Sequence, residues 1–326
     1  MPKASIIIPV YNKEKYISET LTCIDGQTVN DIEVIIINDA STDNSMNIIT
    51  DFKNNTKKCV RLFQNEKNCG VAYSRNLGIN EAKTDYITFV DADDIIERNY
   101  IEVMISKTRK YPYIDIIRGL VMPFKKNVGI IATGEIDGYN NDQIIIPKLD
   151  HEYILSENIS CSSRFYKKDF IKNLKFKESL FEDYEFFLET MIKCNTVLYT
   201  DEPLYAYRFI DDGKYQNSIY NFRRSCIEYL DIFDRVLENN NDVDKELIDV
   251  LKEKHFDMCF SYFSCLNHSN VTLEDKQKIM EYYLMYFYKC YGLKKEVIKN
   301  IIGKELTIMD TPSEIKTKIK QIVSKY

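Results

Sequence analysis

Three carboxylates fall within four positions at Asp91, Asp93 and Asp94, with the small Ala92 between the first two. They end the run Tyr86-Ile87-Thr88-Phe89-Val90, whose β-branched and aromatic residues read as a buried strand. Ligands of open α/β sheets bind just beyond the carboxyl ends of strands, so acids placed there face a cleft. Hard divalent cations such as Mg2+ and Mn2+ take oxygen ligands and share them with substrate phosphates. Asp91-Ala92-Asp93 therefore suits a metal–diphosphate site, with Ala92 allowing close approach of backbone and ligand. Alone, Asp-x-Asp is a weak signal. The same acids also read as turn formers and a helix cap ahead of residues 95–110.

Two other strand ends supply complementary groups. Residues 4–10 form an apolar strand that closes on Pro9, Val10, Tyr11 and Asn12, with Asn12 placed to cap a helix over 13–25. Residues 32–37 are too continuously apolar to have a wet face, as expected of a parallel strand covered on both sides; they end on Asn38-Asp39, before a helix over 44–52. A strand over 59–64, a loop over 65–70, a helix over 71–82 and a strand over 85–90 complete four alternations. This pattern predicts a Rossmann-like α/β domain with a mostly parallel sheet and helices on both faces. Parallel strands bring Pro9–Asn12, Asn38-Asp39 and Asp91–Asp93 to one sheet edge. A nucleoside diphosphate needs those features: a ring to stack on, an acceptor for a base N–H, and a metal for the phosphates. Singly, Tyr11 reads equally as a packing residue and Asp39 as a helix cap; jointly they point to a site. No Gly-x-Gly-x-x-Gly follows the first strand and no Gly-x-x-x-x-Gly-Lys occurs, so phosphate must be held without a glycine cradle.

The later elements are a helix over 98–110, a strand over 114–121 and a helix over 185–194 that follows Phe181-Glu182-Asp183-Tyr184. Short strands are expected at 196–200 and 204–209, on either side of Pro203. Beyond Lys214 helical periodicity dominates, which places a boundary near 212: an α/β domain over 1–212 and an α-helical C-terminal region over 213–326. A 44% hydrophobic and 29% charged composition is that of a soluble globular protein, and a net charge of -6 gives a nucleic-acid role no electrostatic support. Nine cysteines without a Cys-x-x-Cys pair, and three scattered histidines, indicate neither a zinc site nor a disulfide framework. A cytoplasmic setting is expected, with no room for a signal peptide and no apolar run of membrane-spanning length. From Lys289 to Tyr326 nine lysines face four acids on an amphipathic pattern. That end suits peripheral contact with the inner face of a membrane, a solvated helix, or a subunit interface in a homo-oligomer. Tyr282, Tyr283, Tyr286 and Tyr288 read either as core or as such an interface.

Four motifs occur in order: Ser5-Ile6-Ile7-Ile8-Pro9-Val10-Tyr11-Asn12, Ile37-Asn38-Asp39-Ala40-Ser41-Thr42-Asp43, Asn68-Cys69-Gly70-Val71-Ala72-Tyr73-Ser74-Arg75-Asn76, and Asp91-Ala92-Asp93-Asp94. Together they resemble the family 2 glycosyltransferases, closely over roughly residues 3–110, more weakly through Phe165-Tyr166-Lys167-Lys168 to Glu182-Asp183, and fading after about 220. The resemblance implies a GT-A fold and an inverting transferase using a nucleotide-sugar donor, expected to be a UDP-hexose or UDP-N-acetylhexosamine. It implies a glycan or lipid-linked oligosaccharide acceptor in bacterial surface polysaccharide synthesis. Residue by residue it implies that Pro9 and Tyr11 border the base, Glu14 sits near the ribose, and Asp39 accepts from the base. Asn68 and Arg75 would lie by the nucleotide and its diphosphate, Asp91 and Ala92 by the ribose or metal, and Asp93 on Mn2+ or Mg2+. Asp183 matches the general base, and Glu182 would then either support it from behind or bind the acceptor.

The bland readings are a surface salt bridge for Arg75 and a cap of the helix over 185–194 for Asp183. Many family members carry a His after the Tyr-Arg that Tyr207-Arg208 resembles. Here residues 209–218 have none, which leaves a third metal ligand to Asp211, Asp212, Lys214 or water. That loop reads as a lid carrying Arg208 and Lys214, with Gly213 in its hinge. A nucleotidyltransferase would need a Gly-rich basic loop after the first strand. A non-catalytic sugar-nucleotide-binding or scaffold subunit would have lost its base or its metal acids.

Overall fold

Runs of isoleucine set the centre of the first strands. In a computed structural model that describes residues 3–125, 129–130, 142–179, 181–208, 231–240 and 242–264, β1 (Ala4–Val10) lies between β2 (Ile32–Asn38) and β4 (Tyr86–Phe89), parallel to both. β3 (Cys59–Gln64) extends the parallel row beyond β2. Every residue of β2 is buried, as its unbroken apolar sequence requires of a doubly covered strand. Ile6, Ile8 and Val10 pack with Ile17, Leu21 and Ile24 of α1 (Ile17–Asp25) and with Ile49 of α2 (Ser45–Asn55). The alternate residue Ile7 meets α3 (Val71–Glu81) on the other face.

The rest of the sheet is mixed. After β5 (Ile95–Ile96) and α4 (Tyr100–Lys110) come β6 (Ile116–Lys125), β7 (Gly129–Ile130), β8 (Gln143–Ile145), α5 (His151–Ser156), β9 (Arg164–Lys167), α6 (Lys168–Ile171), α7 (Glu182–Lys193) and β10 (Val197–Arg208). The strand order is β3-β2-β1-β4-β9-β6-β10-β5, with β7 on β6 and β8 on β10. The parallel expectation holds for β3 through β4 and for the β6–β10 pair; β9 runs antiparallel between those two groups. Arg118 on β6 and Arg164 on β9 are charged strand residues that share the buried Glu157 at 2.9 and 3.2 Å. Burial alone would raise that carboxyl; the two guanidinium groups outweigh it and hold it below its ordinary value.

Several local expectations change. Ile95 and Ile96 begin no helix but form a two-residue strand on β10. The two strands expected around Pro203 are one strand whose register shifts on either side of it. α7 begins at Glu182, three residues earlier than the periodicity suggests. The chain divides into two compact units, Met1–Ile210 and Asp211–Tyr326. In the second, residues 231–238 are helical, and a helix spans Lys245–Ser264. There Phe233 stacks on His255 at 5.2 Å, and burial pushes that imidazole down to about 3. Tyr282, Tyr283, Tyr286 and Tyr288, and the basic end at 289–326, lie outside the described residues. Among the described residues no helix is long and apolar enough to cross a membrane.

Gly78 leaves room for β1 against α3: a Cβ there would stand 2.4 Å from Ile7 Cγ2. Gly78→Ala is expected to lower stability by about 1–3 kcal/mol through overpacking, read as a lower urea midpoint at unchanged slope. An unchanged midpoint would show that α3 moves away without cost.

Candidate active site

The loops after β1 and β2 are laced together across the sheet edge. The Asp39 amide donates to Val10 O at 2.8 Å. Asn12 adopts a left-handed backbone (φ 51°), and its Oδ1 accepts from the Thr42 amide at 2.8 Å. The amides of Asn12, Lys13 and Glu14 donate to Ser41 Oγ, Ser45 Oγ and Asp43 Oδ2 at 3.1, 2.8 and 3.0 Å. Asn12 therefore does not cap α1, which starts only at Ile17 after a turn over 13–16. Glu14 turns to the start of α2, where its Oε2 accepts the Asn44 amide at 2.9 Å.

Asp39 organises the next loop. Its carboxylate is 3% exposed and accepts Asn65 Nδ2 at 2.6 Å and the amides of Cys69 and Gly70 at 2.8 Å each. Gly70, at φ 89°, occupies a region open to glycine and leads into α3. A carboxylate at that helix N-terminus also suits the helix dipole. Tyr11 stands at the open edge, 43% exposed, while Pro9 is half-buried in β1. Asn68 is exposed, with its Oδ1 on the Gly70 amide at 3.1 Å.

The three acids after β4 take separate tasks. Asp91 accepts Arg75 Nη2 at 3.1 Å on one oxygen and Ser162 Oγ at 3.0 Å on the other. Asp93 ion-pairs through Oδ2 with the Lys13 ammonium, and no protein group among the described residues claims its other oxygen. Asp94 is buried and structural: it accepts Tyr205 OH at 2.6 Å and the Arg208 amide at 2.8 Å. Burial, with Asp91 nearby, pushes its carboxyl up to about 8. Thr20 Oγ1 on α1 grips the loop through the carbonyls of Ala92 and Asp94 at 3.1 and 2.8 Å. Asp91 and Asp93 are both part-exposed, and a cation already sits on Asp93. Those donors fit a divalent ion that takes one or two carboxylates and completes its shell from phosphates and water. Among the described residues there is no group of three or more His, Cys, Asp or Glu able to hold a metal.

Arg75 joins this edge to the acidic start of α7. It is 5% exposed, donates from Nη1 to Glu182 Oε1 at 2.7 Å, and lies over the Phe176 ring at 5.2 Å. The surface-salt-bridge reading is thereby excluded. Its Nε is buried without a partner. Glu182 and Asp183 occupy the first turn of α7 after Phe181, so Asp183 is not the cap residue. Asp183 is half-buried and accepts the Tyr184 amide at 2.9 Å. Burial raises its carboxyl above the ordinary value; Arg75 opposes that and Asp91 adds to it.

Arg208 is buried rather than on a lid. It lies over Tyr16 and Phe124, donates from Nε to Asp93 O at 2.5 Å, and from Nη2 to Glu19 Oε2 at 2.7 Å. Lys214 and the rest of the loop over 209–218 lie outside the described residues. Sequence reasoning missed Lys13, Thr20, Ser162 and Tyr205. Ser162 carries no motif of its own, and its neighbour Ser163 (φ 62°) reveals its unusual turn only in three dimensions.

The family described as Glycosyl transferase family 2 matches residues 5–175, and the chain belongs to it. Glycosyltransferase GlyA of Streptococcus pneumoniae serotype 4 is 31% identical over 214 residues, which is 63% of this chain and 30% of GlyA; the chain thus spans about a third of that relative's length. Staphylococcus aureus TarS 1-349 in complex with UDP shares the fold at a TM-score of 0.65 and 20% identity, over 92% of this chain and 86% of that one. The mannosyltransferase PcManGT of Pyrobaculum calidifontis, solved with GDP-Man and Mn2+, matches at a TM-score of 0.58 and 12% identity, over 100% of this chain and 88% of that one. The fold is that of the GT-A glycosyltransferases.

Arg75→Met leaves Asp91 and Glu182 without their buried counter-charge and is expected to cost about 3–5 kcal/mol, read in chemical unfolding. Arg75→Lys should recover only part of this, because one ammonium lacks the planar fork that spans two carboxylates.

Proposed function

We propose that this chain transfers a hexose or N-acetylhexosamine, with inversion, from a UDP-sugar to a hydroxyl of a growing bacterial glycan. One observation supports the reading: a single buried guanidinium, Arg75, bonds both the strand-end acid Asp91 and the helix-start acid Glu182, which directly precedes Asp183. A transferase needs those two groups of acids in one cleft, one for the leaving diphosphate and one for the incoming hydroxyl. The relatives' ligands support the donor class: UDP with TarS, and GDP-Man with Mn2+ for PcManGT. UDP is preferred because TarS is the nearer match of the two.

In this reading Tyr11, Pro9 and Asn68 border the base, and Asp39, oriented by its three donors, keeps lone-pair capacity for a base N–H. Glu14 lies toward the ribose. Asp93, with Asp91, would hold Mn2+ or Mg2+, which would supply Lewis-acid neutralisation of the leaving diphosphate. Asp183 accepts the proton of the acceptor hydroxyl as that oxygen bonds to the anomeric carbon. The bond to the diphosphate oxygen breaks on the opposite face, its electron pair leaving with the diphosphate through an oxocarbenium-like transition state. Glu182 positions the acceptor. The chemistry is assigned to residues 1–212, while the basic stretch over 289–326 suits an anionic membrane surface, a solvated helix or a subunit interface alike.

Calorimetry with a panel of nucleoside diphosphates and sugar nucleotides, with and without Mn2+, tests the donor. Asp183→Asn tests the chemistry: turnover should fall by about 100-fold or more while UDP affinity is kept. A base must be ionised to act, and burial raises this one. Wild-type kcat should therefore fall as pH drops through a value higher than that of an ordinary aspartate, and recover on the alkaline side. Normal turnover by Asp183→Asn would defeat the assignment.

A further inference from the structure

Lys13 stands where two parallel neighbours end side by side: it follows β1, and Asp93 follows β4. Its backbone is fixed on both sides. The amide donates to Ser45 Oγ at 2.8 Å, and the carbonyl accepts the amides of Tyr16 and Ile17 at 2.9 Å each. The left-handed turn at Asn12 sets the direction from which it approaches. What remains movable is the four-carbon stem, a third exposed, whose ammonium rests on Asp93 Oδ2 alone.

The two buried guanidinium groups of this edge are committed. Arg75 spans Asp91 and Glu182, and Arg208 is held by Glu19 and the Asp93 carbonyl. Lys13, paired only with Asp93 among the described residues, keeps two spare N–H donors beside the strand-end acids. An ammonium and a divalent ion cannot both keep that carboxylate oxygen, because like charges a few ångströms apart repel. Lysine is a flexible point charge suited to phosphate, with no planar geometry to satisfy.

We propose that Lys13 is a phosphate-binding residue of the donor site, held on Asp93 as its counter-cation until metal and diphosphate bind together. This rests on the donor reading above. It makes metal and nucleotide mutually supportive: metal alone must settle on the other Asp93 oxygen against the repulsion of a nearby ammonium, whereas with diphosphate present the same ammonium gains a partner.

The test uses the full chain with Mn2+ and UDP as probes, and GDP in parallel. Free Mn2+ is followed by paramagnetic resonance without nucleotide, and nucleotide binding by calorimetry at saturating Mn2+. Lys13→Met should tighten Mn2+ alone by about fivefold, since one competing ion pair is gone. The same change should weaken nucleotide binding in Mn2+ by about tenfold or more. Lys13→Arg, which keeps the charge, should hold nucleotide affinity within about threefold of wild type. Opposite shifts in the two affinities support the proposal, because a merely structural defect weakens both. Equal affinities in wild type and Lys13→Met, or a parallel loss of both, overturn the role of Lys13 while leaving the donor reading intact. Wild type that binds neither UDP nor GDP with Mn2+ overturns the donor reading, and Lys13's role with it.

Discussion

Carboxylates drawn largely out of water must be neutralised where they stand, and for Asp91 and Glu182 that constraint falls on Arg75. Taking an ionised acid out of water costs several kcal/mol unless a cation and hydrogen bonds replace the lost hydration. Asp91 leaves the end of β4, and Glu182 opens α7, 91 positions later. One planar guanidinium satisfies both, seated on the Phe176 ring and delivered from the first half of α3. α3 can place it there because Gly78 lets the helix lie directly on Ile7 of β1. The chain of cause runs from a missing side chain in a helix, through close packing, to the electrostatic centre of the site.

The acids after β4 show how one short segment is divided by its surroundings. Asp94 goes inward, to Tyr205 and the Arg208 amide, and anchors β10. Asp91 goes sideways to Arg75 and Ser162, while Asp93 stays at the edge with Lys13. Thr20 and Arg208 hold the backbone between them. Three identical side chains thus meet different surroundings, and burial together with the neighbouring Asp91 charge pushes the Asp94 carboxyl well above its ordinary value. Asn12, Ala40 and Ser163 take left-handed backbones beside these elements. Such conformations cost about 1 kcal/mol or more in non-glycine residues and persist where surrounding bonds over-determine them, as the lacing of residues 12–14 to 41–45 does.

Much of the first unit was legible in sequence because its signals are local. β1 and β3 fall where the apolar runs place them, and the row from β3 to β4 is parallel as uninterrupted hydrophobicity requires. The gathering of Tyr11, Asp39, Asp91 and Asp93 at one edge also followed from topology. What failed were choices between partners. Asn12 has the chemistry of a helix cap, yet a nearer amide, that of Thr42 on another loop, takes its oxygen. Residues 95–96 carry no strand signal longer than two side chains and become a strand only because β10 offers an edge. α7 starts at Glu182 with no capping side chain to announce it.

The sequence by itself determined the alternation of strands and helices, the sheet edge on which function gathers, and the family, because each rests on side-chain type at short spacing. Only the tertiary structure decided which charge answers which. Arg75 was drawn away from solvent to two distant acids, Arg208 inward between Tyr16 and Phe124, and Lys13 onto Asp93. The reason is the range of the forces. Burial pattern is written residue by residue, whereas the pairing of ions depends on distances and dielectric that exist only once the sheet has brought remote strand ends together.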